Sequence, residues 1–195
     1  MFLESTHVPQ SEQVISDVGI VDVGVLIAHI GDRPYLQTGS LEHLTALDIQ
    51  LIAYFSQGLH IARTGRSLFS EDFYVDGGYI KNPKLESIFG KPNTCVTPFD
   101  MTEEIRRQLT PPIRGFDAFN NKLVADTAMV LLPKGRKELM KIIRESEPFT
   151  NAMKREFHII SKKDIKAFFD AQFVKQDHLD KTWSIEDKPI FTVED

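Results

Sequence analysis

The stretch LTALDIQLIAYFSQGLHIARTGRSLFSEDF, Leu44–Phe73, decides the fold. Thr45 followed by Asp48 has the form of a capping box, in which two side chains satisfy each other's backbone N–H at a helix start. Leu47, Leu51, Tyr54, Phe55, Gly58 and Ala62 then recur at spacings of three and four, and Gly65 supplies the left-handed residue that closes such a helix. The spacing predicts an amphipathic helix of about five turns. Gly58 in its middle forgoes about 1 kcal/mol of helix propensity relative to alanine, which points to a second element approaching closely there. Gln57, His60 and Arg63 lie along the same helix. Gln57 and His60 are one turn apart, so they can line a pocket, act as acid and base, or be satisfied by backbone inside the core.

On the N-terminal side, residues 1–16 are polar and irregular and read as an arm. Asp17–Ile30 reads as a helix, with Val18, Val21, Val25 and His29 at helical spacing, although its β-branched residues and two glycines also suit a strand. On the C-terminal side, LFSEDFYVDGGYI alternates weakly around a Gly-Gly pair and predicts a short strand or extended loop with a turn, near 68–80. Asn82 then caps a short helix with Pro83 at its first position and Gly90 at its end. KPNTCVTPFD is a loop, Asp100 with Glu103 opens a helix to about Leu109, and Pro111-Pro112 breaks it. Asp117 caps a helix whose Phe119, Leu123, Thr127 and Val130 share a face. The short Pro133–Gly135 link makes it the antiparallel neighbour of Arg136–Arg144, where Leu139, Ile142 and Ile143 point inward. Pro148 halts that helix and Phe149 folds back onto it. Ser161 with Asp164 starts a last helix that buries Ile165, Phe168, Phe169 and Phe173, and the pattern stops beyond Val174. The expected architecture is mainly α: a single compact multi-helix domain over 17–174 with a small extended or β segment, an N-terminal arm and an acidic tail over 175–195.

A chain of 195 residues that is 42% apolar can bury one core. Its net charge of −5 disfavours broad attraction to nucleic acid or anionic membrane and leaves proteins as the expected partners. The opening MFLESTHVPQSEQ does not read as a signal peptide, and Val23–Ile30 is too short to span a bilayer, which needs about 20 residues. With the single cysteine Cys95, these features point to the cytoplasm and to no membrane.

None of the six histidines has another three or four residues away, and neither a phosphate-binding glycine loop, a dinucleotide fingerprint nor a GxSxG elbow is present. No metal or other cofactor and no catalytic residue is expected. A basic cluster, Lys154, Arg155, His158, Lys162, Lys163 and Lys166, raises a nucleic-acid reading, but it lacks the interleaved aromatics that stack on bases.

The run LIAYFSQGLHIARTGRSLF followed by EDFYVDGGYIKNPKLESIFG resembles the core of the Panacea domain, the SocA-like antitoxin family of bacterial mobile elements and phages. KELMKIIRESEPFTNAMK is similar to that family's helix ending in a proline–aromatic turn, and HIISKKDIKAFF to its closing helix; in shared order the likeness spans roughly Asp17 to Phe173. Gly77-Gly78-Tyr79 stands where the family has an aromatic followed by Gly-Pro-Val, and Phe149 where it often has Trp, so the chain resembles a divergent member. The resemblance implies a helical domain that binds a protein toxin or host protein, sometimes handing it to a protease or chaperone as a proteolytic adaptor, with no catalytic residues. Gln57, His60, Arg63 and Tyr79, together with Trp183, Ile185 and Phe191 of the tail, are the candidate partner-binding residues, and homo-oligomerisation is a further expectation. The competing readings are a nucleic-acid-binding regulator using residues 154–166 and a small hydrolase or transferase using His60 or Cys95.

Overall fold

The computed structural model describes residues 18–31, 43–96 and 116–177. Its elements run α1 (Ile20–Gly31), α2 (Ala46–Thr64), β1 (Phe73–Asp76), β2 (Tyr79–Lys81), α3 (Pro83–Phe89), α4 (Ala118–Leu131), a 3-10 turn at Leu132–Lys134, α5 (Arg136–Glu145), α6 (Glu147–Met153), β3 (Ile159–Ile160) and α7 (Lys162–Asp177). Mainly helical architecture with a small antiparallel sheet is therefore what the chain adopts. Among the described residues no helix is long and apolar enough to cross a membrane.

Helix α2 is the axis of the molecule. Its start is closed as the sequence predicts: Thr45 accepts from the Asp48 N–H while the Asp48 carboxylate accepts from the Thr45 N–H. The next free donors find loop carbonyls, Ala46 N–H donating to Thr94 at 3.0 Å and Leu47 N–H to Pro92 at 3.1 Å. These bonds satisfy groups that a helix leaves without internal partners. At the other end Gly65 adopts φ 72° and donates its N–H to Ile61. Around this axis pack α1, α3, α4, α5 and α7.

Encirclement changes the reading of α2. Every residue from Ala46 to Ile61 is buried, so the helix is not amphipathic, and Ile49, Ile52 and Leu59 are as interior as the predicted stripe. Gly58 marks the closest approach: a Cβ there would lie 2.1 Å from the ring of Phe169 on α7. Tyr54, Phe55 and Phe73 surround the same region with edge-to-face ring contacts, which add to the area they bury.

The extended segment is a hairpin, β1 paired antiparallel with β2 through the Gly77-Gly78 turn, with β3 on the far side of β1. Both glycines take positive φ, which the tight turn requires. Asn82 caps α3 as expected, its side chain accepting from Lys84 and Leu85 N–H. Ser161 likewise accepts from the Lys163 and Asp164 N–H groups at the start of α7. Phe149 is 7% exposed at the start of α6, as the proline–aromatic turn predicts.

Several inward faces differ from expectation. In α1 the buried residues are Ile20, Val23, Gly24, Val25, Ile27, Ala28, Ile30 and Gly31, so Val25 lies inside as expected while His29 is exposed and Val21 half-buried. In α4, Phe119 and Val130 are exposed while Asn120, Val124, Ala128 and Leu131 join Leu123 and Thr127 inside. That helix has apolar residues on two sides, and the side carrying small Ala128 is the one that fits against α1 and α2. In α5, Met140 takes the interior place expected of Ile142, which is only partly buried. Helices α4 and α5 do not form a hairpin of their own: α4 packs on α1 and α2, α5 on α2 and α6. Helix α7 continues past Val174 to Asp177. The expected helix at Asp100–Leu109, the break at Pro111-Pro112, the arm and the tail from 178 onward lie outside the described residues.

Candidate partner-binding surface

Gln57 is 1% exposed and fully engaged: its Oε1 accepts from Leu68 N–H at 2.8 Å and Phe69 N–H at 3.3 Å, and its Nε2 donates to Phe69 O at 3.1 Å. His60, 6% exposed, holds its Nδ1 2.8 Å from the Arg66 carbonyl. Thr64 donates to the His60 carbonyl, and its Oγ1 accepts from Arg66 N–H. Three side chains of α2 thus fasten the returning loop, Gly65–Phe69, to the helix that precedes it. Gln50 does the same for the hairpin's exit, accepting from Asn82 N–H at 2.6 Å. As contacts for a partner Gln57 and His60 are withdrawn, because the backbone of the protein's own loop uses their polar atoms.

The His60 environment is apolar enough to push its titration down. Burial lowers it, while the Arg66 carbonyl, Asn120 and Asp117 pull the other way. Burial also raises the Tyr54 phenol, which lies toward Ser146 without a hydrogen bond of good geometry. Arg63 is half-buried at the end of α2; desolvation lowers it and the charge of Asp126 opposes that. Among the described residues no group of three His, Cys, Asp or Glu side chains is placed to hold a metal ion. Cys95 is a free, exposed thiol in the loop beside the start of α2.

Tyr79 is different in kind. It is 39% exposed at the start of β2, and the guanidinium of Arg144, on α5, lies over its ring at 5.2 Å from the centroid. Arg144 Nε also donates to the Gly78 carbonyl at 2.9 Å, so α5 and the hairpin turn meet in one aromatic–cation corner. From this corner an open depression of about 590 Å³ follows α5, lined by Lys134, Lys137, Glu138, Lys141, Arg144 and Glu145. The other end of α5 is anchored: Arg136 reaches the Asp48 carboxylate through Nε and an Nη at 3.0 Å each. Asp48 is only 2% exposed at its side chain, so this pair fixes α5 to the start of α2. Arg144, Lys137 and Lys141 were not singled out from the sequence. The spacing Lys134, Lys137, Lys141, Arg144 is the signal that finds them, since steps of three and four place cations on one helix face.

Half of the basic cluster of 154–166 is held in ion pairs. Arg155 pairs with Asp164, Lys162 with Asp72 and the Ser70 carbonyl, and Lys166 with Asp170. One aromatic does stand within it, contrary to the sequence reading: Phe157 is 71% exposed. Trp183, Ile185 and Phe191 lie outside the described residues. Comparison of the chain with protein-family models, with curated proteins and with solved structures gives no match.

Proposed function

We propose that this protein is a protein-binding module of antitoxin or mobile-element accessory type, acting in the cytoplasm and neutralising or delivering a partner protein by direct contact. The reading invokes no catalytic step and no cofactor. The observation that carries it is the contrast between Gln57 and His60, whose polar atoms serve the protein's own loop, and the Tyr79–Arg144 corner, where an exposed aromatic ring and a guanidinium are held ready by backbone contacts. Tyrosine and arginine are the side chains that most often dominate protein interfaces. The Panacea-like order of segments supports the same reading. Phe157 beside Lys154 favours nucleic acid as a second reading, against which stand the ion pairs that neutralise Arg155, Lys162 and Lys166.

The test is co-expression with the products of adjacent genes, scored by rescue of a growth defect and by affinity capture of the intact chain. A captured protein whose recovery falls with Tyr79→Ala or Arg144→Gln supports the proposal. The absence of both rescue and capture overturns it.

A further inference from the structure

We propose that the α5 stripe receives an acidic helical segment of the partner protein, with Lys137, Lys141 and Arg144 taking its carboxylates. This deepens the protein-binding reading and rests on it. Lys137 and Lys141 are exposed and form no ion pair among the described residues, in a chain whose net charge is −5. Lys81, Lys84, Lys122 and Lys166 each have a carboxylate within reach, whereas the exposed Lys91, Lys154 and Lys163 form no ion pair among the described residues. Lys137 and Lys141 differ from those three in lining, together with Arg144, one depression beside the Tyr79 ring, where their charges are gathered on a single face.

Geometry narrows the class. Lys137 and Lys141 are about 6 Å apart along the axis and Lys137 and Arg144 about 10 Å, the rises of four and seven helical residues. Carboxylates at i, i+4 and i+7 of an adjacent helix repeat those intervals. Arg144 uses its Nε on the Gly78 carbonyl, and its terminal nitrogens form no hydrogen bond among the described residues, which leaves them for a carboxylate. Glu138 and Glu145 lie in the same depression and repel a uniform run of phosphates, so they select against nucleic acid and set the register of a partner helix of mixed charge. Tyr79, under Arg144, supplies the apolar contact at the end of the stripe.

The experiment uses the full chain and a labelled helical peptide with glutamates at i, i+4 and i+7. Beside it stand the glutamine counterpart, a short DNA strand as competitor, and the double variant Lys137→Glu/Lys141→Glu checked for unchanged melting. Saturable one-to-one binding of the glutamate peptide is expected, about tenfold weaker for the glutamine peptide and for the double variant, and weakened by salt. Lys137→Gln/Lys141→Gln should fall between. Equal affinity for both peptides, no loss in the double variant, or preferential binding of DNA overturns the proposal. If the double variant still captures the cellular partner at full strength, the stripe is wrong and protein binding stands; if the peptide binds as expected but no partner is captured, the reverse holds.

Discussion

Helix α2 and helix α5 both carry polar side chains at helical spacing, yet they spend them in opposite ways. On α2, Gln50, Gln57 and His60 point into an interior and are matched to backbone groups of Asn82 and of the loop Arg66–Phe69. On α5, one arginine ties the helix down at Asp48 while Lys137 and Lys141 remain in water. Polarity on a helix is thus no guide to a binding face until the partners of each group are known. The amide oxygens of Gln50 and Gln57 and the ring of His60 are taken up by the protein's own backbone, whereas an exposed cation without a carboxylate is open to a ligand.

The largest effect that can test this comparison is at the packing of α2 itself. Phe169→Ala removes the ring that fills the space over Gly58, and a loss of about 3 to 5 kcal/mol is expected from urea unfolding. Gly58→Ala attacks the same contact from the other side: overpacking of about 1 to 3 kcal/mol outweighs roughly 1 kcal/mol of gained helix propensity. If Gly58→Ala were stabilising, the close approach of α7 to α2 would be wrong.

Next in size is Gln57→Leu. It keeps the volume but strands the Leu68 and Phe69 N–H groups and the Phe69 carbonyl, all in a buried setting. At about 1 to 3 kcal/mol for each buried group left without a partner, partly relieved by loop relaxation, a loss of about 2 to 4 kcal/mol is expected. Amide exchange at Leu68 should quicken with it. A Gln57→Leu protein as stable as the parent but weaker in partner capture would return Gln57 to the binding surface.

The beginning and end of α2 were legible because their signals are local. Thr45 with Asp48, Gly65, and Asn82 with Pro83 each act over three or four residues, and each forms as read. What surrounds α2 was not legible. Periodicity ranks faces by apolar content, and the polar residues Gln50, Ser56, Gln57 and His60 broke the pattern because the atoms that satisfy or enclose them come from distant segments. The same limit rotated α4, where Phe119 and Val130 outweighed small Ala128 by hydrophobicity although small residues permit closer packing. For the candidate surface, Tyr79 was visible as a tyrosine beside a glycine turn, but its arginine lies in a separate part of the chain. Only the fold brings the two together.

His60 offers a pH test of the interior side. Its folded-state titration lies below the usual imidazole value of 6.5, chiefly because burial disfavours the charged ring. Protonation therefore favours the unfolded chain. The contribution is fully present above pH 6.5 and is lost as pH falls from there through the lower folded-state value, with no further loss below it. Denaturant midpoints measured across that window should decline, and His60→Gln should flatten the decline. An identical slope in the variant would place the responsible group elsewhere.

The smallest effect on stability is expected at the surface and is the sharpest test of the comparison. Tyr79→Ala removes a half-exposed ring and its contact with Arg144, worth about 0.5 to 1 kcal/mol at an exposed site, and leaves the Arg144–Gly78 hydrogen bond in place. Melting should therefore shift only slightly, whereas affinity for the captured partner should fall about tenfold or more if the ring anchors the interface. Gln57→Leu should show the opposite balance, a large loss of stability with affinity kept in the folded fraction. A Tyr79→Ala protein destabilised by more than about 2 kcal/mol would mean that the corner holds the hairpin to α5, and the division between a self-satisfied helix and an outward-facing one would fail at the residue where it is drawn most clearly.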